Sequence, residues 1–143
     1  IYQNTPSDKF ITFFWGLFDP KQSTFKYVNA GHNPPLVYRA GKHAFETLSR
    51  TGMAAGVEGD TQYQQGKISL QPGDYLLMYT DGVTDAQIVE TNFVEDRLKE
   101  SALANSDLPA KELVGRLEKL VCDFSGTGEP VDDVTMLVAK KIA

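Results

Sequence analysis

The sequence predicts an α+β domain with mostly antiparallel strands, and three observations carry that expectation. Apolar runs of strand length, punctuated by Gly, Pro, Asp and Asn, occupy the chain up to Thr80. A helical period takes over only in the second half, and a final strand-like run, Val134 to Ala139, follows it. A group of strands, then two helices, then one more strand is the order expected of an α+β domain rather than an alternating α/β one.

The first run, Ile11-Thr12-Phe13-Phe14-Trp15-Gly16-Leu17-Phe18, carries aromatic residues at both alternating positions. It predicts a strand buried on both faces, with Phe13, Phe14 and Trp15 in the core rather than forming a base-stacking or cofactor platform. Asp19 to Ser23 supplies a turn, and Thr24 to Ala30 returns as the second arm of a hairpin. Gly31-His32-Asn33-Pro34-Pro35 is dense in breakers, so the next short strand starts at Leu36-Val37-Tyr38 and turns at Ala40-Gly41-Lys42. His43 falls among turn residues and is expected to face solvent. Residues 51–66 read as loop, with a short strand near Tyr63. Gln71-Pro72-Gly73-Asp74 has the composition of a tight turn. It launches Tyr75-Leu76-Leu77-Met78-Tyr79, apolar on both faces and therefore expected in the middle of a sheet, ending at Thr80-Asp81-Gly82.

In the second half, Phe93 to Leu103 predicts one helix. Leu113, Leu117, Leu120, Val121 and Phe124 then recur at helical spacing and predict a second, amphipathic one. Ser106 or Asp107 can cap its start, Pro109 suits its first turn, and Gly126 suits its end.

Composition narrows the function. The 143 residues fall within the size range of one domain, and 41% hydrophobic with 23% charged residues excludes a disordered chain. Nineteen acidic against 14 basic residues leave a charge of -5, so nothing attracts a phosphate backbone and no nucleic acid partner is expected. No apolar run approaches the roughly 20 residues that span a bilayer, and Ile1-Tyr2-Gln3-Asn4 resembles no signal sequence. No membrane is expected, and a cytoplasmic location is. Cys122 is the only cysteine, which excludes an internal disulfide or a cysteine-rich zinc site; its place in the apolar helical pattern predicts a buried structural thiol. The chain starts without Met and enters a strand-like run almost at once, as a piece of a longer polypeptide would.

The most informative feature is where the aspartates fall. Asp81 and Asp85 follow the end of one strongly apolar strand, while Asp132 and Asp133 precede the start of another. If those strands are antiparallel neighbours, all four carboxylates gather at one sheet edge. Two carboxylates about 4 Å apart repel by roughly 4 kcal/mol at an effective dielectric of about 20, which a marginally stable domain must offset. Protonation, a basic partner or a cation can do so. Neither Tyr79 to Ala86 nor Pro130 to Met136 contains Lys or Arg, which favours a cation. All-oxygen ligation without His or Cys points to Mg²⁺ or Mn²⁺ rather than Zn²⁺, with Gly82 turning the chain beside the ion. Taken singly, Asp81 can equally cap a short helix, and Asp132 and Asp133 can be turn residues. Taken together, at matching ends of two apolar strands, they favour the ion. His32, in a turn-like setting, needs a partner before it can act as acid or ligand.

Five segments occur in an order that resembles a known family: Phe10-Ile11-Thr12, Tyr27-Val28-Asn29-Ala30-Gly31-His32-Asn33-Pro34-Pro35, Pro72-Gly73-Asp74, Tyr79-Thr80-Asp81-Gly82-Val83-Thr84-Asp85-Ala86 and Asp132-Asp133-Val134-Thr135. Together they resemble the metal-dependent PPM protein serine/threonine phosphatases, in the bacterial stage II sporulation (SpoIIE-like) branch. The resemblance implies an antiparallel β-sandwich flanked by helices, with residues 1–143 forming a single phosphatase domain that lacks its N-terminal segment. It implies that Asp81 and Asp132 are metal ligands, that Asp133 stands where eukaryotic relatives often carry Asn, and that Asp85 helps hold a weaker third metal. His32 and Asn33 are candidates for a loop at the substrate site. In such enzymes two Mn²⁺ or Mg²⁺ ions activate a water that attacks phosphoserine or phosphothreonine, with no phosphoenzyme.

The family's upstream Asp-x-x-Gly-His-Gly motif, with its bridging aspartate, is not in these residues. At most one metal is therefore expected here, and this polypeptide alone is expected to hydrolyse little. The resemblance further implies a phosphorylated STAS-type anti-sigma-factor antagonist as substrate and an upstream sensory or receiver domain. Apolar faces left open by a missing segment make a homodimer a candidate assembly. Two other functions stand against the phosphatase: a catalytically deficient phosphatase-like binding module, and a two-metal phosphodiesterase or nuclease, which the acidic charge disfavours.

Overall fold

The computed structural model describes residues 9–83, 91–124 and 133–143. Its elements are β1 (Phe13–Asp19), β2 (Thr24–Ala30), β3 (Leu36–Arg39), β4 (Ala44–Thr47), β5 (Gly66–Ser69), β6 (Tyr75–Tyr79), a 3₁₀ turn at Asp81–Val83, α1 (Thr91–Ala104), α2 (Ala110–Phe124) and β7 (Met136–Lys140). The strands form two antiparallel sheets, one ordered β1-β2-β5 and the other β4-β3-β6-β7. The α+β class and the mostly antiparallel pairing are as the sequence predicts.

Two cores explain the layering. Between the sheets, Phe25 and Tyr27 of β2 meet Val37 of β3 and Leu76 of β6, joined by Leu48, Leu70 and the half-buried Phe14. On the other face of the four-stranded sheet, Tyr38, Tyr75, Leu77 and Tyr79 pack against Leu98 and Ala102 of α1 and Leu113, Leu117 and Val121 of α2. The four-stranded sheet is thus the middle layer, which is why β6 reads as apolar on both faces. Tyr75 and Tyr38 stack with ring centroids 4.7 Å apart, and the Tyr75 hydroxyl donates to the Ala102 carbonyl at 3.0 Å, so the sheet anchors α1 by both packing and a buried hydrogen bond.

Several sequence expectations are corrected. β1 is not buried on both faces. Its register sets Phe14, Gly16 and Phe18 opposite the inward-facing Asn29, Tyr27 and Phe25, leaving Trp15 53% and Leu17 54% exposed on the outer face. An aromatic-rich run records apolar content but not whether the strand lies at an edge, and β1 is at the edge of its sheet. Phe14 joins the inter-sheet core, while Trp15 does not. No strand forms at Tyr63, whose ring instead packs beside Phe13 at 5.9 Å; β5 begins later, at Gly66. Cys122 is half-buried, not buried, in a cleft between α2 and β7. α2 opens with the Leu113 N–H donating to the Pro109 carbonyl at 3.0 Å, so it starts beyond Ser106 and Asp107. Ser106 is buried before the helix, and its carbonyl accepts from Lys140 Nζ at 2.6 Å. Gly126 lies outside the described residues. His43 is exposed, as expected, with Nδ1 2.8 Å from the Tyr38 hydroxyl. Among the described residues, no helix is long and apolar enough to cross a membrane.

Candidate metal centre

The apolar strands that flank the aspartates do pair: β6 and β7 run antiparallel, with Tyr79 opposite Met136 and Tyr75 opposite Lys140. The pairing continues past both strand ends. Thr80 N–H donates to the Thr135 carbonyl at 3.0 Å, and Thr135 N–H donates to Thr80 Oγ1 at 3.0 Å. Thr80 Oγ1 in turn donates to the Asp133 carbonyl at 3.2 Å. One side chain therefore fixes two backbone positions of the facing segment and brings the Asp81 and Asp133 loops to one sheet edge.

Gly82 lies close against the Asp133 backbone. A Cβ on it would run into the Asp133 carbonyl oxygen, so only glycine permits this approach. The chain then turns through Asp81–Val83, closed by the Val83 N–H donating to the Thr80 carbonyl at 3.1 Å. Val83 is fully buried and pins the turn into the core, while Asp81 and Asp133 are exposed at the surface. Asp81 and Asp133 are thus carried on adjacent, backbone-locked loops, and carboxylate oxygens are the hard donors that Mg²⁺ or Mn²⁺ prefers. Among the described residues, no group of three or more His, Cys, Asp or Glu side chains converges. Asp85 and Asp132 lie outside the described residues.

The opposite end of the sandwich fixes which loops share this edge. Lys141 N–H donates to the Asp74 carbonyl at 2.9 Å, and Lys141 Nζ donates to Ser23 Oγ at 2.6 Å and to the Leu70 carbonyl at 3.1 Å. The starts of β2 and β6 therefore meet there, and both strands run toward the other end, where Ala30 and Tyr79 close them. Gly31, His32 and Asn33 thus stand at the same end of the sandwich as Thr80, Asp81 and Gly82. His32 and Asn33 are half-buried, and His32 Nδ1 lies 3.4 Å from Thr12 Oγ1. Beneath the edge, burial pushes the Tyr79 hydroxyl well above its ordinary range, with the Glu95 carboxylate and its hydrogen bond adding to the effect. Glu95 thereby links α1 to the end of β6, and its Oε1 also pairs with Lys99 Nζ at 2.6 Å one turn along the same helix.

Sequence reading missed Thr80 as the residue that joins the two acidic loops. Its signal was present, since a hydroxyl residue directly between an apolar strand and an acidic turn is placed to bond a neighbouring backbone.

Comparison with known proteins agrees with this fold. The family model described as Stage II sporulation protein E (SpoIIE) matches residues 1–141. The chain is 28% identical over 146 residues to phosphoserine phosphatase RsbU of Bacillus subtilis (strain 168), covering 99% of this chain and 42% of that protein. It superposes on a structure of the RsbU and RsbW domains of a Mycobacterium tuberculosis protein with a TM-score of 0.75 and 25% identity, over 92% of this chain and 37% of that one. It superposes on the manganese-soaked phosphatase domain of SpoIIE from Bacillus subtilis with a TM-score of 0.72 and 19% identity, over 92% of this chain and 56% of that one. The chain thus spans less than half the length of the curated relative.

Proposed function

The chain belongs to the stage II sporulation protein E (SpoIIE) family, and on that premise we propose that it carries the C-terminal part of a divalent-metal-dependent protein serine/threonine phosphatase. The observation that carries this reading is the Thr80–Thr135 lock, which sets the Asp81 and Asp133 loops side by side at one sheet edge. Asp81, Asp132 and Asp133 are the proposed ligands, with Asp85 contributing to a weaker site and His32 and Asn33 facing the substrate. A bound Mn²⁺ or Mg²⁺ supplies charge neutralisation at the phosphoryl group and acidifies coordinated water. The chain's own part is to hold the carboxylates in place without reorganisation: Thr80 and Gly82 fix their backbones, and buried Val83 keeps the turn from moving.

The substrate class is phosphoserine or phosphothreonine on a regulatory protein, supported by the relative named phosphoserine phosphatase. A STAS-type antagonist in sigma-factor regulation is the proposed partner, supported by the likeness to a structure in which an RsbU domain accompanies an RsbW domain. The proposal extends to a cytoplasmic location and an upstream sensory or receiver domain in the longer protein, and to a homodimer of this chain through apolar faces that the missing segment would cover. It also places the bridging aspartate upstream of this chain, so that the chain alone holds at most one ion and turns over little substrate.

Mn²⁺ titration by calorimetry tests the reading, on this chain and on a polypeptide extended upstream to its relatives' length, with Asp81→Asn and Asp132→Asn in each. Loss of binding in both variants supports the ligand assignment; unchanged binding in both variants of the extended polypeptide overturns it. Hydrolysis of a phosphoserine peptide by the extended polypeptide but not by this chain supports the division of the site. Equal rates overturn that division.

A further inference from the structure

Asn29 is the most deeply buried polar side chain that the fold leaves unexplained. It is 0% exposed and lies on β2 in line with Phe25 and Tyr27, on the face that packs against the four-stranded sheet. Among the described residues, neither its Oδ1 nor its Nδ2 has a hydrogen-bond partner. Its backbone, by contrast, is fully engaged: the N–H donates to Thr51 Oγ1 at 2.8 Å, and the carbonyl accepts from Thr51 N–H at 2.9 Å. Thr51 thus holds the backbone of β2 in place at this position. An unpaired buried amide costs about 1–3 kcal/mol, whereas an apolar side chain of the same size costs nothing of the kind. Packing alone therefore favours leucine at this position.

Its place in the sandwich is what distinguishes it. Asn29 is the last residue but one of β2, and Tyr79 is the last of β6; both strands start at the Lys141 end and finish at the acidic edge. The carboxamide accordingly lies between the two sheets, toward the end that carries Thr80 and Asp81, where facing sheets typically stand about 10 Å apart. A carboxamide offers two donors and two lone pairs, and a buried water typically takes about three hydrogen bonds from groups left without other partners.

We propose that Asn29 is a positioning residue of the acidic edge: its carboxamide holds an ordered water between the sheets and through it orients the solvent around the cation. This rests on the metal-centre reading above. Groups that orient a metal's surroundings at one remove typically change affinity or activity by about 10- to 100-fold when lost.

The test is Asn29→Leu in the full-length protein, with Mn²⁺ affinity by calorimetry, urea midpoint, and kcat and KM on a phosphoserine peptide measured together. The expected result is an unchanged or raised urea midpoint, Mn²⁺ affinity lowered about tenfold, and kcat reduced with KM unchanged. A raised midpoint with wild-type affinity and kcat overturns the proposal. Where leucine prevents folding, Asn29→Ala reads the same quantities without overpacking. Asp81→Asn runs alongside. If it abolishes Mn²⁺ binding while Asn29→Leu behaves as wild type, only the role of Asn29 falls; if it binds Mn²⁺ normally, the metal-centre assignment beneath it falls.

Discussion

Thr80 and Thr135 exchange two hydrogen bonds just beyond the paired ends of β6 and β7, one of them through the Thr80 side chain. Because Thr80 Oγ1 both accepts from Thr135 N–H and donates to the Asp133 carbonyl, this one hydroxyl holds two backbone positions of the facing loop. Thr80→Val keeps the shape but removes the hydroxyl, leaving the Thr135 N–H without its acceptor. A loss of about 1–2 kcal/mol in urea unfolding is expected, with weakened Mn²⁺ binding. Thr80→Ser, which keeps the oxygen, should retain most of both.

Gly82 predicts a different balance. A methyl group there meets backbone, the Asp133 carbonyl, rather than the movable tip of a side chain. Gly82→Ala must therefore push the Asp133 segment away from Asp81, at a cost of about 1–3 kcal/mol. Its effect on Mn²⁺ affinity should exceed that of Thr80→Val, because the spacing of the donors changes directly. Calorimetry on the two variants side by side gives the ranking.

What the sequence made legible follows from the range of the interactions involved. β6 and α2 were readable because their burial pattern is written in consecutive residues: Tyr75 to Tyr79 without a polar break, and Leu113, Leu117 and Val121 at helical spacing. The acidic edge was readable for the same reason, since Asp81 and Asp133 adjoin the strands that bring them together. β4 and β5 were not, because Ala44-Phe45-Glu46-Thr47 and Gly66-Lys67-Ile68-Ser69 are short, mixed segments made into strands by the neighbours they pair with. Trp15 was misassigned because edge and centre look alike in an aromatic run. The burial of Asn29 without a partner among the described residues was not legible, as it arises from two sheets closing over it.

Asp74 shows how a turn signature can conceal a long-range anchor. Its buried carboxylate accepts from Gln71 N–H at 3.1 Å within the turn, but also from Ala40 N–H at 2.9 Å and Arg39 Nη1 at 3.0 Å. It thereby ties the β3–β4 turn to the start of β6. Asp74→Ala removes the acceptor for three donors and leaves the half-buried guanidinium with only part of its charge compensated. A loss of about 3 kcal/mol in urea unfolding is expected. Since Asp74 lies at the end of the sandwich remote from Asp81, Mn²⁺ affinity measured well below the unfolding transition should stay unchanged.

Glu46 supplies the pH-dependent counterpart. The Arg39 hydrogen bond first, and the Lys42 hydrogen bond second, hold its carboxyl below the usual range despite some opposing desolvation. Arg39 Nε lies 2.8 Å from Oε2, and Lys42 Nζ lies 3.0 Å from Oε1. A carboxyl whose folded pKa is depressed contributes stability that is fully present above its unfolded value, about 4.3, and is lost as pH falls through the lower folded value. The side chain is 41% exposed, so solvent screening limits the pair to no more than about 1 kcal/mol. Glu46→Gln should accordingly lower stability slightly at pH 7, and the gap from wild type should close as pH drops below about 4 and narrow in high salt. Urea midpoints across pH 3 to 7 would show this convergence; a gap that persists at the acid end means the contribution is packing rather than charge.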